Sequence, residues 1–249
     1  MKIVVIGGSG LIGSKLVEIL AARGHTALAA SPSSGVDTLT GQGLAEVMSG
    51  ADAVVDVTNS PSFADDDVMR FFQTSTRNLL EAERAASVRH HVALSVVGTD
   101  RLPDSGYFRA KVAQEALIEK GAVPFSILRA TQFFEFLGKV ADAGFDGTAV
   151  RVAPVLMQPI AARDVSSALA DVVLGEPLDG RAEVGGPERL RLDDLARRIL
   201  RARGDERPVV ADPQAHYFGT RVEDESLVAG DDARIGATRF ADWLQQAAR

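Results

Sequence analysis

A tyrosine and a lysine four residues apart are the strongest candidates for chemistry in this sequence. Tyr107 and Lys111 lie in a helical pattern over Tyr107–Lys120, so they share one face of the predicted helix. Ser95 lies upstream, near the end of an apolar run over Val92–Val96. Because ligands bind at the carboxyl ends of the strands in a parallel sheet, these three side chains are candidates for one site.

These residue types suit the reduction of a carbonyl group. Hydride addition creates an oxyanion that must be protonated, and the phenol of Tyr107 can donate that proton. A phenol has a pKa of about 10, and a nearby ammonium lowers it, so Lys111 is expected to lower the pKa of Tyr107. A serine hydroxyl such as that of Ser95 can polarise the carbonyl. A Tyr-x-x-x-Lys pair alone also occurs by chance on surface helices, so the interpretation depends on the other motifs.

A glycine-rich segment near the start of the chain is the second motif. Gly7, Gly8, Gly10 and Gly13 follow an apolar run over Lys2–Ile6 and open a helical pattern. Glycine permits a tight turn and lets backbone amides approach a pyrophosphate, which the positive end of the helix also attracts. The segment therefore predicts a dinucleotide-binding loop.

The residues after the second predicted strand bear on the choice of dinucleotide. An acid about 20 positions beyond the loop would bind the ribose 2′-hydroxyl of NAD(H), but no acid lies between Glu18 and Asp37. Ser31 and Ser33 can donate to a 2′-phosphate, although no Arg or Lys accompanies them. The sequence favours NADP(H) over NAD(H), with an ordinary polar turn as the alternative for the serines. Asp37 either accepts from the adenine amine or caps a turn.

Taken together, the glycine loop, Ser95 and the Tyr107–Lys111 spacing resemble the short-chain dehydrogenase/reductase superfamily. The finer resemblance is to its atypical, NmrA-like branch of NAD(P)-binding oxidoreductases. It rests on segments spread over nearly the whole chain, namely Leu94–Thr99, Tyr107–Glu115, Ile127–Phe136, Gln158–Val165 and Gly185–Glu188.

This resemblance implies a role for each site residue. Tyr107 is the proton donor, Lys111 holds the nicotinamide ribose and tunes Tyr107, and Ser95 orients the carbonyl. The expected contacts to the pyrophosphate come from Gly7, Ser9, Gly10, Leu11, Ile12 and Gly13. Thr58 and Asn59 are expected to flank the adenosine or the ribose. The nicotinamide or the substrate is expected beside Phe133 and Phe134.

The sequence departs from the family pattern at two positions. The Asn that many relatives carry in the helix before the Ser-bearing strand has no clear counterpart, because Phe72, Gln73 and Thr74 occupy that place and Asn78 lies two turns further on. The Arg that selects NADP in many relatives is replaced by Ser31 and its neighbour Pro32.

Short apolar runs alternate with helical patterns, which predicts an α/β fold with a doubly wound, mostly parallel, Rossmann-like sheet. The predicted strands are Lys2–Ile6, Thr26–Ala30, Ala53–Val57, Val92–Val96 and Phe125–Leu128. The predicted helices are Leu11–Arg23, Gly43–Met48, Asp65–Ala86, Tyr107–Lys120 and Asp193–Arg203.

After residue 130 the alternation of apolar runs and helical patterns becomes less regular. We therefore expect a dinucleotide-binding core over residues 1–130 and a smaller substrate-binding part over residues 131–249, packed together as one compact unit. His216–Gly219 is expected either to line the substrate pocket or to pack in this second part. An amphipathic helix that packs on the core is predicted from the spacing of Phe240, Trp243 and Leu244.

Composition narrows the classes of function. The chain has 249 residues, a formal net charge of −7 and no cysteine, which disfavours nucleic-acid binding and excludes disulfides and thiol catalysis. Strand residues begin directly after Met1 and no long apolar stretch follows, so we expect a cytoplasmic protein without a membrane span. No metal site is predicted, since His90 and His91 should point to opposite faces of a strand, as surface side chains.

The sequence thus predicts an NAD(P)H-dependent oxidoreductase acting on a carbonyl or alcohol of a small apolar molecule. Two other hypotheses stay open. One is a non-catalytic NAD(P)-sensing protein, and the other is a redox-neutral epimerase, dehydratase or isomerase that keeps its cofactor bound. The oligomeric state is not predicted.

Overall fold

The computed structural model describes residues 1–247 of the chain. The strands are β1 (Lys2–Ile6), β2 (Thr26–Ala30), β3 (Ala53–Asp56), β4 (His90–Val96), β5 (Phe125–Ala130), β6 (Val150–Val152), β7 (Leu156–Met157), β8 (Gly180–Gly185), β9 (Leu190–Arg191), β10 (Val209–Ala211) and β11 (Arg234–Ile235). The helices are α1 (Leu11–Ala22), α2 (Leu44–Met48), α3 (Asp65–Ala85), α4 (Gly106–Glu119), α5 (Leu137–Ala143), α6 (Ala162–Leu174), α7 (Leu192–Ala202) and α8 (Phe240–Ala247).

Seven strands form one parallel sheet in the order β11-β8-β5-β4-β3-β1-β2. The chain starts at β1, moves outward to β2, and then returns to β3 on the other side of β1. In a parallel sheet this reversal opens a crevice at the carboxyl ends of the strands, where ligands bind. The expected doubly wound α/β fold is confirmed.

Burial on both faces explains why the strands are continuously apolar. Side chains alternate along β1, so Ile3 and Val5 pack in one cluster with Leu16 and Leu20 of α1. The cluster on the opposite face contains Val4 and Ile6 together with residues of α2 and α3. The two layers hold β1 rigidly, and with it the loop that follows.

The longest helix, α3, packs along α4. It begins with Asp65, Asp66 and Asp67, which lie in its first turn, where acidic side chains interact favourably with the positive end of the helix. This helix presents Phe72 to α4, and the ring of Phe72 lies beside that of Tyr107. The α3–α4 contact therefore fixes the surroundings of the candidate tyrosine.

The chain beyond residue 130 contributes both to the main sheet and to a second core. Its α6 packs on α1, and β8 and β11 complete one side of the sheet. The remaining elements form two small two-stranded sheets, β10-β6 and β7-β9, around an apolar cluster. In that cluster Phe134 packs against Phe240 and Trp243 of α8, as the amphipathic pattern indicates.

The two adjacent histidines differ from expectation. Both were expected at the surface, and this is wrong, since His90 is 4% exposed and His91 is fully buried. They do point to different partners, because His90 Nε2 lies 2.8 Å from Ser126 Oγ and His91 Nδ1 lies 2.8 Å from Glu83 Oε1. Each imidazole is buried with a polar partner, and this makes its burial tolerable.

Within residues 1–247, no group of three or more His, Asp or Glu side chains is placed to hold a metal ion. None of the helices described there is long and apolar enough to cross a membrane.

Candidate active site

The glycine loop lies at the carboxyl end of β1. Gly7 has a φ of +79°, and a Cβ there would lie 3.1 Å from the Val57 backbone. A Cβ on Gly8 would lie 2.5 Å from Ala29 Cα, and one on Gly13 would lie 2.6 Å from Gly8 Cα. Only glycine therefore allows the loop to fit between the ends of β1, β2 and β3.

The loop leads directly into the amino-terminal turn of α1. Gly10 is the N-cap residue and has no side chain with which to cap the helix. The first-turn amides that follow it have no acceptor within the helix and are available to an anion. Ser9, Gly10 and Leu11 are exposed, whereas Ile12 and Gly13 are buried. This cradle fits a dinucleotide pyrophosphate by its shape and by its free donors.

Ser31 and Ser33 lie just past β2, at the same edge of the sheet. The Ser31 hydroxyl is buried and lies 2.8 Å from that of Ser33, which is exposed. Asp37 Oδ1 accepts a hydrogen bond of 2.7 Å from the backbone N–H of Leu39. Of the two roles considered for Asp37, the structure shows turn capping.

Thr58 and Asn59 follow β3 on the other side of the glycine loop. The Thr58 hydroxyl donates to Asp56 Oδ1 at 2.7 Å, and Asn59 Oδ1 accepts from the backbone N–H of Ser60. Asp56 is buried, and sequence reasoning overlooked it. Its position two residues before Thr58, as the last residue of an apolar strand, was the available signal.

Tyr107 lies in the first turn of α4, at the edge of the sheet where the cradle also lies. Its ring contacts Phe63, Phe72 and Phe108, with centroid distances of 5.7, 6.1 and 5.8 Å. Burial raises the pKa of the Tyr107 phenol to about 12. The expected lowering by Lys111 is not found in this state, so the phenol is protonated at neutral pH.

Lys111 lies one turn further along the same face of α4 and is buried. Its Nζ donates to the Leu94 carbonyl at 2.9 Å and to Gln114 Oε1, and it lies 4.4 Å from the centroid of the Phe72 ring. Burial lowers the pKa of Lys111 to about 8, a shift that nearby Asp56 and Glu115 oppose.

Gln114 was also overlooked. Its Nε2 donates to Asp56 Oδ2 at 3.0 Å while its Oε1 accepts from Lys111, so it connects the end of β3 to α4. The side chain of Phe72 occupies the space beside Lys111. Asn78 instead donates to the Thr38 and Leu39 carbonyls and holds the loop after β2. The three-residue spacing of Lys111 and Gln114 on one helix was the available signal.

Ser95 does not join Tyr107. Its hydroxyl is buried and donates to Glu115 Oε1 at 2.5 Å. Glu115 lies eight residues after Tyr107, or about 12 Å along the helix. The same carboxylate accepts from Arg129 at 2.7 Å and from Arg181 at 2.9 Å, and this holds its pKa below the usual range. In this structure the Ser95 hydroxyl is therefore engaged with Glu115, and its expected role in polarising a carbonyl stays a prediction.

The residues after β5 differ in their surroundings. Phe134 is 1% exposed and belongs to the second core, while Phe133 is half-buried against the α1–α6 layer. Gln132 is buried, and neither atom of its amide has a hydrogen-bond partner among residues 1–247. A buried amide without partners is costly, so Gln132 is a polar group that a ligand at this edge would satisfy.

The fold and the glycine cradle define a dinucleotide-binding protein, and the family comparison agrees. The sequence model of an NAD(P)H-binding family matches residues 7–174, about two thirds of the chain. The chain belongs to this family, and the NAD(P)-binding part of the resemblance is thereby confirmed. The sequence matches no curated protein.

Solved structures share the fold over nearly the full length. A short-chain dehydrogenase/reductase superfamily protein from Agrobacterium tumefaciens, with bound NAD, is 21% identical with a TM-score of 0.73, covering 100% of this chain and 96% of its own. A UDP-N-acetylglucosamine 4-epimerase from Bacillus cereus is 17% identical with a TM-score of 0.71, covering 99% and 96%. A dTDP-4-dehydrorhamnose reductase from Clostridium acetobutylicum is 15% identical with a TM-score of 0.70, covering 98% of both chains.

Proposed function

We propose that the chain is an NADPH-dependent oxidoreductase that reduces a carbonyl group on a small apolar molecule. The observation that carries this proposal is the position of Tyr107, which lies on one helix face with Lys111 at the edge of the sheet occupied by the glycine cradle. The aromatic neighbours of Tyr107 favour an apolar substrate. The unpartnered amide of Gln132 is a further candidate contact to the bound ligands.

In this mechanism the nicotinamide supplies a hydride to the carbonyl carbon when the cofactor is bound. The Tyr107 hydroxyl donates its proton to the carbonyl oxygen, for which it must be protonated beforehand. Its raised pKa meets that condition over the physiological range. Lys111 supplies positive charge beside the site, and its contacts to Gln114 and the Leu94 carbonyl hold the ammonium in place.

The experiment that tests the proposal follows NADPH absorbance with a panel of quinones, aldehydes and ketones, using wild type and Tyr107→Phe. Loss of the hydroxyl should lower turnover by about 10²-fold or more. The dissociation constant for NADPH should stay unchanged, because the donors of the glycine cradle are backbone amides that this substitution leaves in place. Undiminished turnover in Tyr107→Phe would defeat the role proposed for Tyr107.

The preference for NADPH rests on the segment after β2, which offers two hydroxyls and no carboxylate before Asp37. Ser33→Asp places a negative charge beside the site proposed for the 2′-phosphate. We expect at least tenfold weaker NADPH binding and little change for NADH, measured by fluorescence titration. Ser33→Ala is the neutral control. Tighter binding of NADH than of NADPH by wild type would contradict the assignment of NADPH as the cofactor.

A redox-neutral epimerase is the second candidate, because the fold is shared with a UDP-N-acetylglucosamine 4-epimerase. It would use the same tyrosine as a proton-transfer group while its cofactor stays bound. Product would then form without net change in nicotinamide absorbance. Chromatography of reaction mixtures containing catalytic amounts of cofactor separates the two candidates.

A further inference from the structure

A cavity of about 210 Å³ lies in the second part of the molecule, under the turn Tyr217–Thr220. Its walls include side chains from α5, β6 and the start of α7. The apolar lining residues are Val140, Ala143, Val152, Ala153, Leu192 and Phe218. An apolar cavity of about 150 Å³ is large enough to take up benzene, so this one has room for a ring system.

The charges around the cavity do not favour an ionic ligand. Arg151 lines it, but its guanidinium lies 2.6 Å from Asp146 and 3.8 Å from Asp212, so its charge is already balanced. The other polar side chains in the lining are His216, which is exposed, and Tyr217. An uncharged ligand fits these walls best, because burial of a charge without a partner is costly.

The turn that covers the cavity is strained. Tyr217 N donates to the Thr220 carbonyl at 2.8 Å, and the two residues between have positive φ values of +44° for Phe218 and +83° for Gly219. A bulky residue at positive φ is unfavourable, and such turns prefer Asn or Gly. The Phe218 ring nevertheless remains 40% exposed and contacts Tyr217 and Phe136. Neither the geometry of the turn nor the packing of the core requires an aromatic residue at position 218. Backbone strain of this kind is concentrated at functional sites.

The cavity also lies close to the candidate catalytic phenol. The chain has two tyrosines, Tyr107 and Tyr217. Tyr217 belongs to the same apolar cluster as Phe108, and Tyr107 packs against that cluster. The proximity of Tyr107 adds to burial in raising the pKa of the Tyr217 phenol. Tyr217 therefore lines the cavity and shares an apolar cluster with the surroundings of Tyr107.

We propose that this cavity is the subsite for the non-reacting part of the substrate, an uncharged planar ring, and that Phe218 and Tyr217 form its selective wall. The assignment rests on the proposed function, since it places the reacting carbonyl of the same molecule at Tyr107. Phe218 then contributes a face of the ring-binding site at a cost to the stability of its turn.

Indole is a suitable probe because its binding does not depend on turnover. Calorimetry is performed on wild type, Ala143→Trp and Phe218→Gly. Ala143 is exposed at the cavity wall, so a tryptophan there blocks the cavity without disturbing the core. We expect both variants to bind indole at least tenfold more weakly, with unchanged NADPH affinity. Phe218→Gly should melt at the same temperature as wild type or higher, because glycine relieves the strain. Indole that binds equally to all three proteins, or to none, overturns the subsite.

Kinetics distinguish the subsite from the reductase itself. With an active wild type, Phe218→Gly should raise the KM for 2-naphthaldehyde at least fivefold and leave that for propanal unchanged. An equal change in KM for both aldehydes contradicts the subsite proposal but not the proposal that the protein is a reductase. If wild type reduces no carbonyl but Ala143→Trp still binds indole more weakly than wild type, the reductase proposal is contradicted. The ring-binding cavity is then supported.

Discussion

Lys111 illustrates how much a single buried charge affects this site. Its ammonium lies among Phe72, Gln114 and the Leu94 carbonyl, and burial lowers its pKa to about 8. The charge is therefore partly lost just above physiological pH. The proposed role needs the ammonium, so turnover should fall as the pH rises above about 8. The stability of the fold should rise over the same range.

The stability prediction follows from this pKa. Between about pH 8 and 10.5 the unfolded chain binds a proton at Lys111 that the folded chain has released, so stability rises with pH in that window. Relative to Lys111→Met, wild type should gain about 2 to 3 kcal/mol between pH 7 and pH 10, measured by urea unfolding. Lys120→Met, at the exposed end of the same helix, should show no such trend. A constant difference between wild type and Lys111→Met across this range would contradict the buried charge.

Ser95 shows where reasoning from residue types reaches its limit. Its spacing from Tyr107 is right for a shared site, yet its hydroxyl donates to Glu115. No pattern in the sequence shows that Glu115, Arg129 and Arg181 converge, because they come from α4, β5 and β8. The partners of a buried polar side chain are set by tertiary contacts that spacing alone does not reveal.

At the scale of elements, the loop between β1 and α1 is the part most tightly constrained by backbone packing. A Cβ on Gly13 would meet the Gly7 carbonyl and lie 2.6 Å from Gly8 Cα. Gly13→Ala should lower NADPH affinity at least tenfold and destabilise the fold by about 1 to 3 kcal/mol. Fluorescence titration and thermal melting measure the two effects. Gly175→Ala is the matched control, because the nearest atom to its Cβ is 3.4 Å away. Equal behaviour of the two variants would contradict the packing argument.

The elements themselves were largely predictable from periodicity. The bounds of β1 and β2 agree with prediction, and α1 to α4 differ from it by one residue at their ends. Apart from the edge strand β2, which is only partly buried, these elements are buried on continuous faces, so their hydrophobic patterns are strong. The short strands from β6 onward gave no such pattern, because each has only two to six residues and several lie in small peripheral pairs. The burial of His90 and His91 was missed for a related reason, since their partners lie outside β4.

At the scale of the whole molecule, the two parts share one sheet. β8 and β11 come from the chain after residue 130, yet they extend the sheet begun by β1. The Gln158 amide also joins distant segments, since it donates to the Gly186 carbonyl and accepts from the Ala229 backbone N–H. Such sharing makes independent unfolding of the second part costly.

A single cooperative transition is therefore expected on unfolding. The one tryptophan, Trp243, packs on Phe134 with a centroid distance of 5.4 Å and reports on the second core. Far-ultraviolet circular dichroism reports on the whole fold. The two signals should give the same urea midpoint, as for a two-state domain. A fluorescence transition at clearly lower urea would show instead that residues 131–249 unfold separately.

The strand order also has a consequence for synthesis. The strands that flank the glycine cradle are complete once residue 130 has left the ribosome, while α6, β8 and β11 are still to come. At about 5 to 20 residues per second, synthesis of residues 131–249, roughly 120 residues, takes on the order of 6 to 24 seconds. During that time the face of β4 and β5 that later packs against α6 stays uncovered. The nascent chain thus presents a nucleotide cradle and an open apolar face together, so we expect dinucleotide to stabilise this half before residues 131–249 have been made.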